Sequence, residues 1–254
     1  MKNIKILNMD IYITEDYDAM SQKAAQLLAA IVSEKQNPIL GLATGGTPVG
    51  MYKELIRMNR TGEVDFSKTT TFNLDEYYPI SQESDQSYHY FMKQTLFDHI
   101  NIDPSNTHIP NGAAKDSVAE SEAYDQKVRA TGGVDMQILG IGSNGHIAFN
   151  EPADSFPTKT QKTCLTKSTI EDNARFFDHI EDVPTEAITM GIGTIMNSKS
   201  IMLLASGTGK AKVIKETILG KVTPQVPASI LQFHPRVIMV IDKAAAAELL
   251  NNKL

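Results

Sequence analysis

Asn144, His146, Asn150 and Glu151 stand close together in the glycine-rich stretch 140–152, GIGSNGHIAFNEP. A histidine among amides and a carboxylate can act as a general acid or base, because such neighbours set its tautomer and its basicity. Gly140, Gly142 and Gly145 also spell G-x-G-x-x-G, but a dinucleotide fingerprint needs a helix directly after it to meet the pyrophosphate. Pro152 and Pro157 forbid a long helix there, so the glycines are read as room for tight turns. An isolated histidine would more simply be an idle loop residue; three polar companions in the same loop favour a site.

Three further loops carry usable groups. In 43–48, ATGGTP, Thr44, Gly45, Gly46 and Thr47 offer backbone N–H groups and two hydroxyls before a helical pattern, an arrangement suited to phosphate. The same residues are also compatible with a plain tight turn in which Thr47 caps the helix. No Gly-Lys-Ser/Thr follows, so the loop is not a nucleotide P-loop. In 73–78, NLDEYY, strand alternation points only one of Asp75 and Glu76 into a cleft at the sheet edge, and leaves the other as a solvated acid or a helix cap. A carboxylate brought there beside a histidine and a phosphate loop could serve as base toward a carbon acid next to a carbonyl. In 206–210, SGTGK, Lys210 could lend a cation to a phosphate, or be an ordinary solvated lysine. Ala211 stands where a magnesium-binding hydroxyl would be needed. His89, His99, His108, His179 and His234 show no metal-ligand spacing, so neither metal nor other cofactor is expected.

Positioning these loops requires alternating strands and helices. Apolar runs at 4–9, 38–42, 69–74, 134–141, 200–205 and 237–241 read as strands. Helical spacing recurs at 17–32, 49–59, 86–99, 117–130, 185–196, 209–219 and 243–251. Such alternation implies an α/β fold with a mainly parallel sheet and helices on both faces. The 254 residues, 41% hydrophobic and 21% charged, form one domain. A net charge of −6 argues against nucleic-acid or anionic-membrane binding and leaves room for a small anionic ligand. No stretch has the length of a bilayer span or the pattern of a signal peptide, which places the chain in the cytoplasm. The single cysteine, Cys164, is read as small and half-buried.

Taken together, ATGGTP, NLDEYY, GIGSNGHIAFNEP, NARFF around Arg175 and SGTGK around Lys210 resemble, in order and spacing, the glucosamine-6-phosphate deaminase family over nearly the whole chain. GHIAFNEP is the specific element; the related 6-phosphogluconolactonases share the fold but typically continue Gly-His with Thr-Ala-Ser-Leu-Phe-Pro. The resemblance implies a three-layer α/β/α, Rossmann-like fold. It implies conversion of D-glucosamine 6-phosphate to D-fructose 6-phosphate and ammonium in amino-sugar catabolism. By the same resemblance His146 opens the sugar ring, with Glu151 and Asn144 setting its protonation and orientation, and Asp75 moves the proton between C2 and C1. The phosphate rests on Thr44, Gly45, Gly46 and Thr47, with Arg175 and Lys210 completing the charge balance, and residues 160–184 form a lid. Many members carry aspartate where this chain has Asn144; an amide orients an imidazole but does not stabilise imidazolium, which shifts that role to Glu151. Regulated members bind an effector phosphate with basic residues shortly after the motif. Gln161 and Thr163 occupy those positions here, beside Lys159 and Lys162, so the effector site is expected to be missing or very weak. A sugar-phosphate sensor built on this general fold would need a DNA-binding segment, for which the acidic sequence gives no sign. Whether the protein is a monomer or a homo-oligomer stays open.

Overall fold

Apolar runs too long to be exposed on either face become the strands of one mixed sheet in the computed structural model, which describes residues 1–251. In chain order the elements are β1 (Lys2–Ile6), β2 (Met9–Thr14), α1 (Tyr17–Glu34), β3 (Ile39–Leu42), α2 (Val49–Arg60), β4 (Thr70–Asn73), β5 (Asp75–Tyr78), α3 (Tyr88–Thr95) and β6 (Thr107–His108). There follow α4 (Ser117–Ala130), β7 (Met136–Leu139), β8 (Gln161–Cys164), α5 (Lys167–Asn173), β9 (Glu186–Thr189), α6 (Ile192–Met196), β10 (Ile201–Ala205), α7 (Ala211–Leu219), β11 (Val237–Asp242) and α8 (Ala247–Asn251). The main sheet runs β1-β2-β11-β10-β7-β3-β4-β6. Every pairing in it is parallel except the β1–β2 hairpin. Every residue of β7, β10 and β11 is buried, as befits central parallel strands covered by helices on both sides. Among the described residues no helix is long and apolar enough to cross a membrane.

Helix α1 shows how the sequence sets an element and its packing. Asp16 accepts the Ala19 N–H at 2.9 Å as its N-cap, and Met20, Ala24, Leu28 and Val32 recur every four residues as a buried stripe. That stripe closes over the sheet beside β11. Each fully buried leucine or methionine contributes roughly 1.5–3 kcal/mol of transfer free energy.

The strand order fixes where a ligand can bind. From β3 the chain moves outward to β4, then returns to lay β7 on the other side of β3 and continues to β10 and β11. The crevice beyond the carboxyl ends of β3 and β7 is therefore the topological switch point, where open α/β sheets hold their ligands. The neighbouring strands β10, β7, β3 and β4 each lead into one of the four chemically loaded loops.

Several expectations are corrected. The strand read at 4–9 is broken by a turn in which Leu7 adopts φ 53°, and 9–14 is a separate strand whose Met9, Ile11 and Ile13 alternate inward. The helix read at 185–196 is strand β9 followed by the short α6. The strand read at 69–74 ends at Asn73, and Asp75 opens a further strand that was not expected, β5, which joins a second, three-stranded antiparallel sheet in the order β5-β9-β8. That sheet encloses its own small core of Tyr77, Phe149, Leu165 and Ala187. The segment read as a lid, 160–184, contains β8 and α5 and is rooted in this second sheet. Cys164 is exposed rather than half-buried, because it lies on the outward face of the edge strand β8.

Candidate active site

A cavity of about 450 Å³ opens at the switch point. Thr44, Gly45, Gly46, Thr47, Asp75, His146, Arg175 and Lys210 all line it. Asn144 and Glu151, also singled out from the sequence, stand behind His146 and contact one another.

The loop after β3 forms one end. Gly45 has φ +86°, a conformation that excludes most other residues. The N-cap of α2 is Pro48 with no side-chain hydrogen bond, so Thr47 does not cap the helix. The shape of the loop is held from outside: the Tyr17 hydroxyl donates to Gly46 O at 3.1 Å and accepts the Gly50 N–H at 2.8 Å. An uncapped helix N-terminus at a cavity wall attracts an anion through its orphan N–H groups and the helix dipole. Lys210, at the boundary of α7, and Arg175, in the turn after α5, add positive charge to the same cavity. Burial pulls the Lys210 ammonium below its ordinary value; Asp172 opposes that pull and Arg175 adds to it. The loop bearing Lys210 is pinned by Asp242, whose carboxylate accepts the Ser206 hydroxyl at 2.5 Å and the Gly207 N–H at 3.0 Å.

Adjacent carboxyls 75 and 76 have opposite fates. Glu76 is fully buried and accepts the N–H groups of Tyr77, Tyr88 and His89 at 2.9, 2.8 and 3.1 Å. It is the helix cap of the two alternatives, since two of those donors open α3. Asp75 faces the cavity with 6% of its surface exposed. Burial, and then the neighbouring Glu76 charge, push its carboxyl up to about 8.

His146 is held from two sides. Gly142 presses against the ring so closely that a Cβ there would lie 2.3 Å from it, and the Gly142 N–H donates to His146 O at 2.9 Å. On the other side Nδ1 lies 3.4 Å from Glu151 Oε2, within ion-pair reach. That same oxygen accepts the Asn144 amide at 2.8 Å, and Asn144 Oδ1 accepts the His146 backbone N–H at 3.1 Å. Asn144 thus fixes the carboxylate rather than touching the ring. Burial raises the Glu151 carboxyl, but the imidazole of His146, the Thr169 hydroxyl and the Asn144 amide outweigh it and hold the group at about 2. Asn150 does structural duty: its amide donates to Ile147 O at 2.9 Å and Met190 O at 2.8 Å, tying the loop to the end of β9.

The sequence did not point to Tyr88, Thr169 or Asp172, which also line the cavity. Thr169 and Asp172 are single polar residues in the polar helix α5, Lys167–Asn173 (KSTIEDN), and nothing in their spacing marks them. Tyr88 opens α3, where aromatic spacing reads equally well as core. The assembled site joins an anion-binding end to an acid–base end, suited to a phosphorylated carbon chain undergoing proton transfer.

Residues 14–239 match the family described as glucosamine-6-phosphate isomerases/6-phosphogluconolactonase. The chain is 54% identical over 238 residues to the glucosamine-6-phosphate deaminase of Clostridium perfringens (strain SM101 / Type A), covering 94% of this chain and 98% of that one. It is 55% identical over 245 residues to the enzyme of that name from Clostridium botulinum (strain Alaska E43 / Type E3), covering 96% and 98%. Among solved structures, a monomeric glucosamine-6-phosphate deaminase superposes with a TM-score of 0.92 at 44% identity, over 94% of this chain and 99% of that one. A 6-phosphogluconolactonase from Thermotoga maritima, at 21% identity and a TM-score of 0.72 over 92% and 100% of the two chains, shares the fold. The chain belongs to the glucosamine-6-phosphate deaminase family.

Proposed function

We propose that the protein converts D-glucosamine 6-phosphate and water to D-fructose 6-phosphate and ammonium, as a hydrolase acting on a C–N bond. One observation supports this most: a single cavity joins the uncapped N-terminus of α2, Arg175 and Lys210 to Asp75 and the His146–Glu151 pair. The phosphate anchors on Thr44, Gly45, Gly46 and Thr47, with Arg175 and Lys210 neutralising it. His146 takes the proton of the anomeric hydroxyl and returns one to the ring oxygen, which opens the pyranose to the aldehyde. Glu151 stabilises the transient imidazolium, a role that Asn144 supports by holding the carboxylate in place.

Asp75 then removes the proton from C2 and delivers it to C1, passing through an enolamine. A carboxyl raised to about 8 suits both halves of that transfer, because a group titrating near the working pH both accepts and returns a proton readily. The product is an iminium at C2; water adds there and ammonia leaves, giving the ketone. Residues 160–184 act as the lid that keeps bulk water from the enolamine. A charged sugar phosphate does not cross a membrane unaided, which supports a cytoplasmic reaction, in amino-sugar breakdown. Incubating the purified protein with D-glucosamine 6-phosphate should release ammonium and fructose 6-phosphate in equal amounts; release of neither overturns the reading.

A further inference from the structure

Glu151 receives its two sets of contacts from different parts of the fold. Oε2 belongs to the loop after β7, where it accepts the Asn144 amide at 2.8 Å and faces His146 at 3.4 Å. Oε1 accepts the hydroxyl of Thr169, which comes from α5. Among the described residues no other group donates a hydrogen bond to Oε1. Thr169 is 2% exposed, and its hydroxyl proton is aimed by its own helix. Thr166, the N-cap of α5, accepts the Thr169 N–H at 3.3 Å and donates its hydroxyl to Thr169 Oγ1 at 3.1 Å. The Thr169 oxygen thus accepts from Thr166, and its one hydroxyl proton goes to Glu151 Oε1.

The same short segment carries the cavity's phosphate end. Asp172, Asn173 and Arg175 line the cavity within six residues of Thr169, roughly 9 Å along a helical path. A phosphate that fixes Arg175 therefore also fixes the hydroxyl on Glu151. We propose that Thr169 is a positioning residue through which α5, once seated over a bound phosphate, sets the Glu151 carboxylate against His146. The His146–Glu151 pair is then complete only while the segment covers the cavity, so ring opening is tied to a substrate that carries the phosphate. This rests on the function proposed above and deepens it. The role of Thr169 runs through Glu151, not through the substrate.

The test is a double-mutant cycle on the full chain, using Thr169→Val, Thr169→Ser, Glu151→Gln and the Thr169→Val/Glu151→Gln pair, assayed with D-glucosamine 6-phosphate. Losing one hydrogen bond to a charged group predicts a fall in kcat of about tenfold for Thr169→Val, with KM changed less than about twofold and with Thr169→Ser restoring most of the rate. In the Glu151→Gln background Thr169→Val should cost little further, because the carboxylate charge that Thr169 sets against His146 is gone even though the amide oxygen still accepts a hydrogen bond. An equal loss in both backgrounds, full activity of Thr169→Val, or failure of Thr169→Ser to rescue would each overturn the proposal and leave Thr169 a packing residue. A readout independent of turnover separates this from failure of the deaminase reading. Carboxyl carbon NMR of Glu151 should titrate at higher pH in Thr169→Val than in the unmodified protein and in Thr169→Ser. Unchanged titration sinks the inference even if the enzyme is a deaminase, and a shifted one sustains the contact even if it is not.

Discussion

Replacing Asp75 by asparagine should disable the enzyme and stabilise it, and the stabilisation should depend on pH. The carboxyl lies 6% exposed and titrates near 8, where an unburied aspartate titrates near 3.8. Below about pH 4 it is protonated in the folded and unfolded chain alike and contributes nothing. As pH rises from there to 8, the unfolded chain loses the proton while the folded chain keeps it, so the native state becomes progressively less favoured. Each pH unit in that window is worth about 1.4 kcal/mol, which sums to on the order of 5 kcal/mol by pH 8, a ceiling reached only if no water relaxes around the charge. Asparagine has the same shape and never ionises. At about 2–4 °C per kcal/mol for a chain of this size, even a third of that ceiling raises Tm by roughly 3–7 °C. Thermal melts of both proteins from pH 4 to pH 9 should show curves that meet at the acid end and separate towards pH 8. The pH profile of kcat/KM in the unmodified enzyme should pass through half-maximum near pH 8 and level off about a pH unit above it, while Asp75→Asn loses roughly 10²–10⁴-fold in turnover, the range for a lost general base. A Tm difference independent of pH would refute the burial reasoning, and near-native turnover in the folded variant would refute the role of Asp75.

His146→Gln should be impaired chiefly with the cyclic substrate and much less with an analogue locked in the open-chain form; equal losses would place His146 at another step. Asp172 is a negative charge on the segment that brings Arg175, and it shares the cavity with Lys210. Asp172→Asn should therefore tighten substrate binding, lowering KM by about two- to fivefold, as removal of a partly solvated like charge predicts; an unchanged or raised KM in steady-state kinetics counts against competition with the phosphate. Initial rates should depend hyperbolically on D-glucosamine 6-phosphate and be indifferent to N-acetylglucosamine 6-phosphate apart from competition. Gln161 and Thr163 are neutral, and Lys162 is already engaged, donating to Glu186 at 2.6 Å. A sigmoidal curve that the acetylated sugar phosphate straightens would show a working effector site.

The parts of the site legible in the sequence were those where glycine or a short polar cluster interrupts an apolar strand. ATGGTP, GIGSNGH and SGTGK announce themselves because a turn at a sheet edge needs residue types that strands and helices avoid. The second sheet was not legible. Ala187, Ile188, Met190, Ile192 and Ile195 are all buried, and a run with that spacing satisfies a buried strand and a helix face equally well, so the pairing of β9 with β5 and β8 decides. The β1–β2 turn was hidden because Leu7 and Asn8 make it without a glycine. Asp75 and Glu76 were separable only as a pair, since alternation says that they face opposite ways but not which way is inward. Thr169 left no trace, because its meaning lies in a contact 18 residues away.

The seating of β2 beside β11 sets the order in which the molecule can be made. Thr14 donates its hydroxyl to Ile241 O across a separation of 227 residues, and the whole of β2 pairs with β11. On a ribosome adding ~5–20 residues per second, the first inner strand waits roughly 10–45 s for its neighbour to emerge. Throughout that interval Met9, Ile11 and Ile13, fully covered or nearly so in the finished protein, present an unsatisfied edge to the surroundings. A nascent chain stalled before β11 should thus be a client for chaperones and a seed for aggregation, whereas completion of the last strand closes the sheet and removes the hazard in one step.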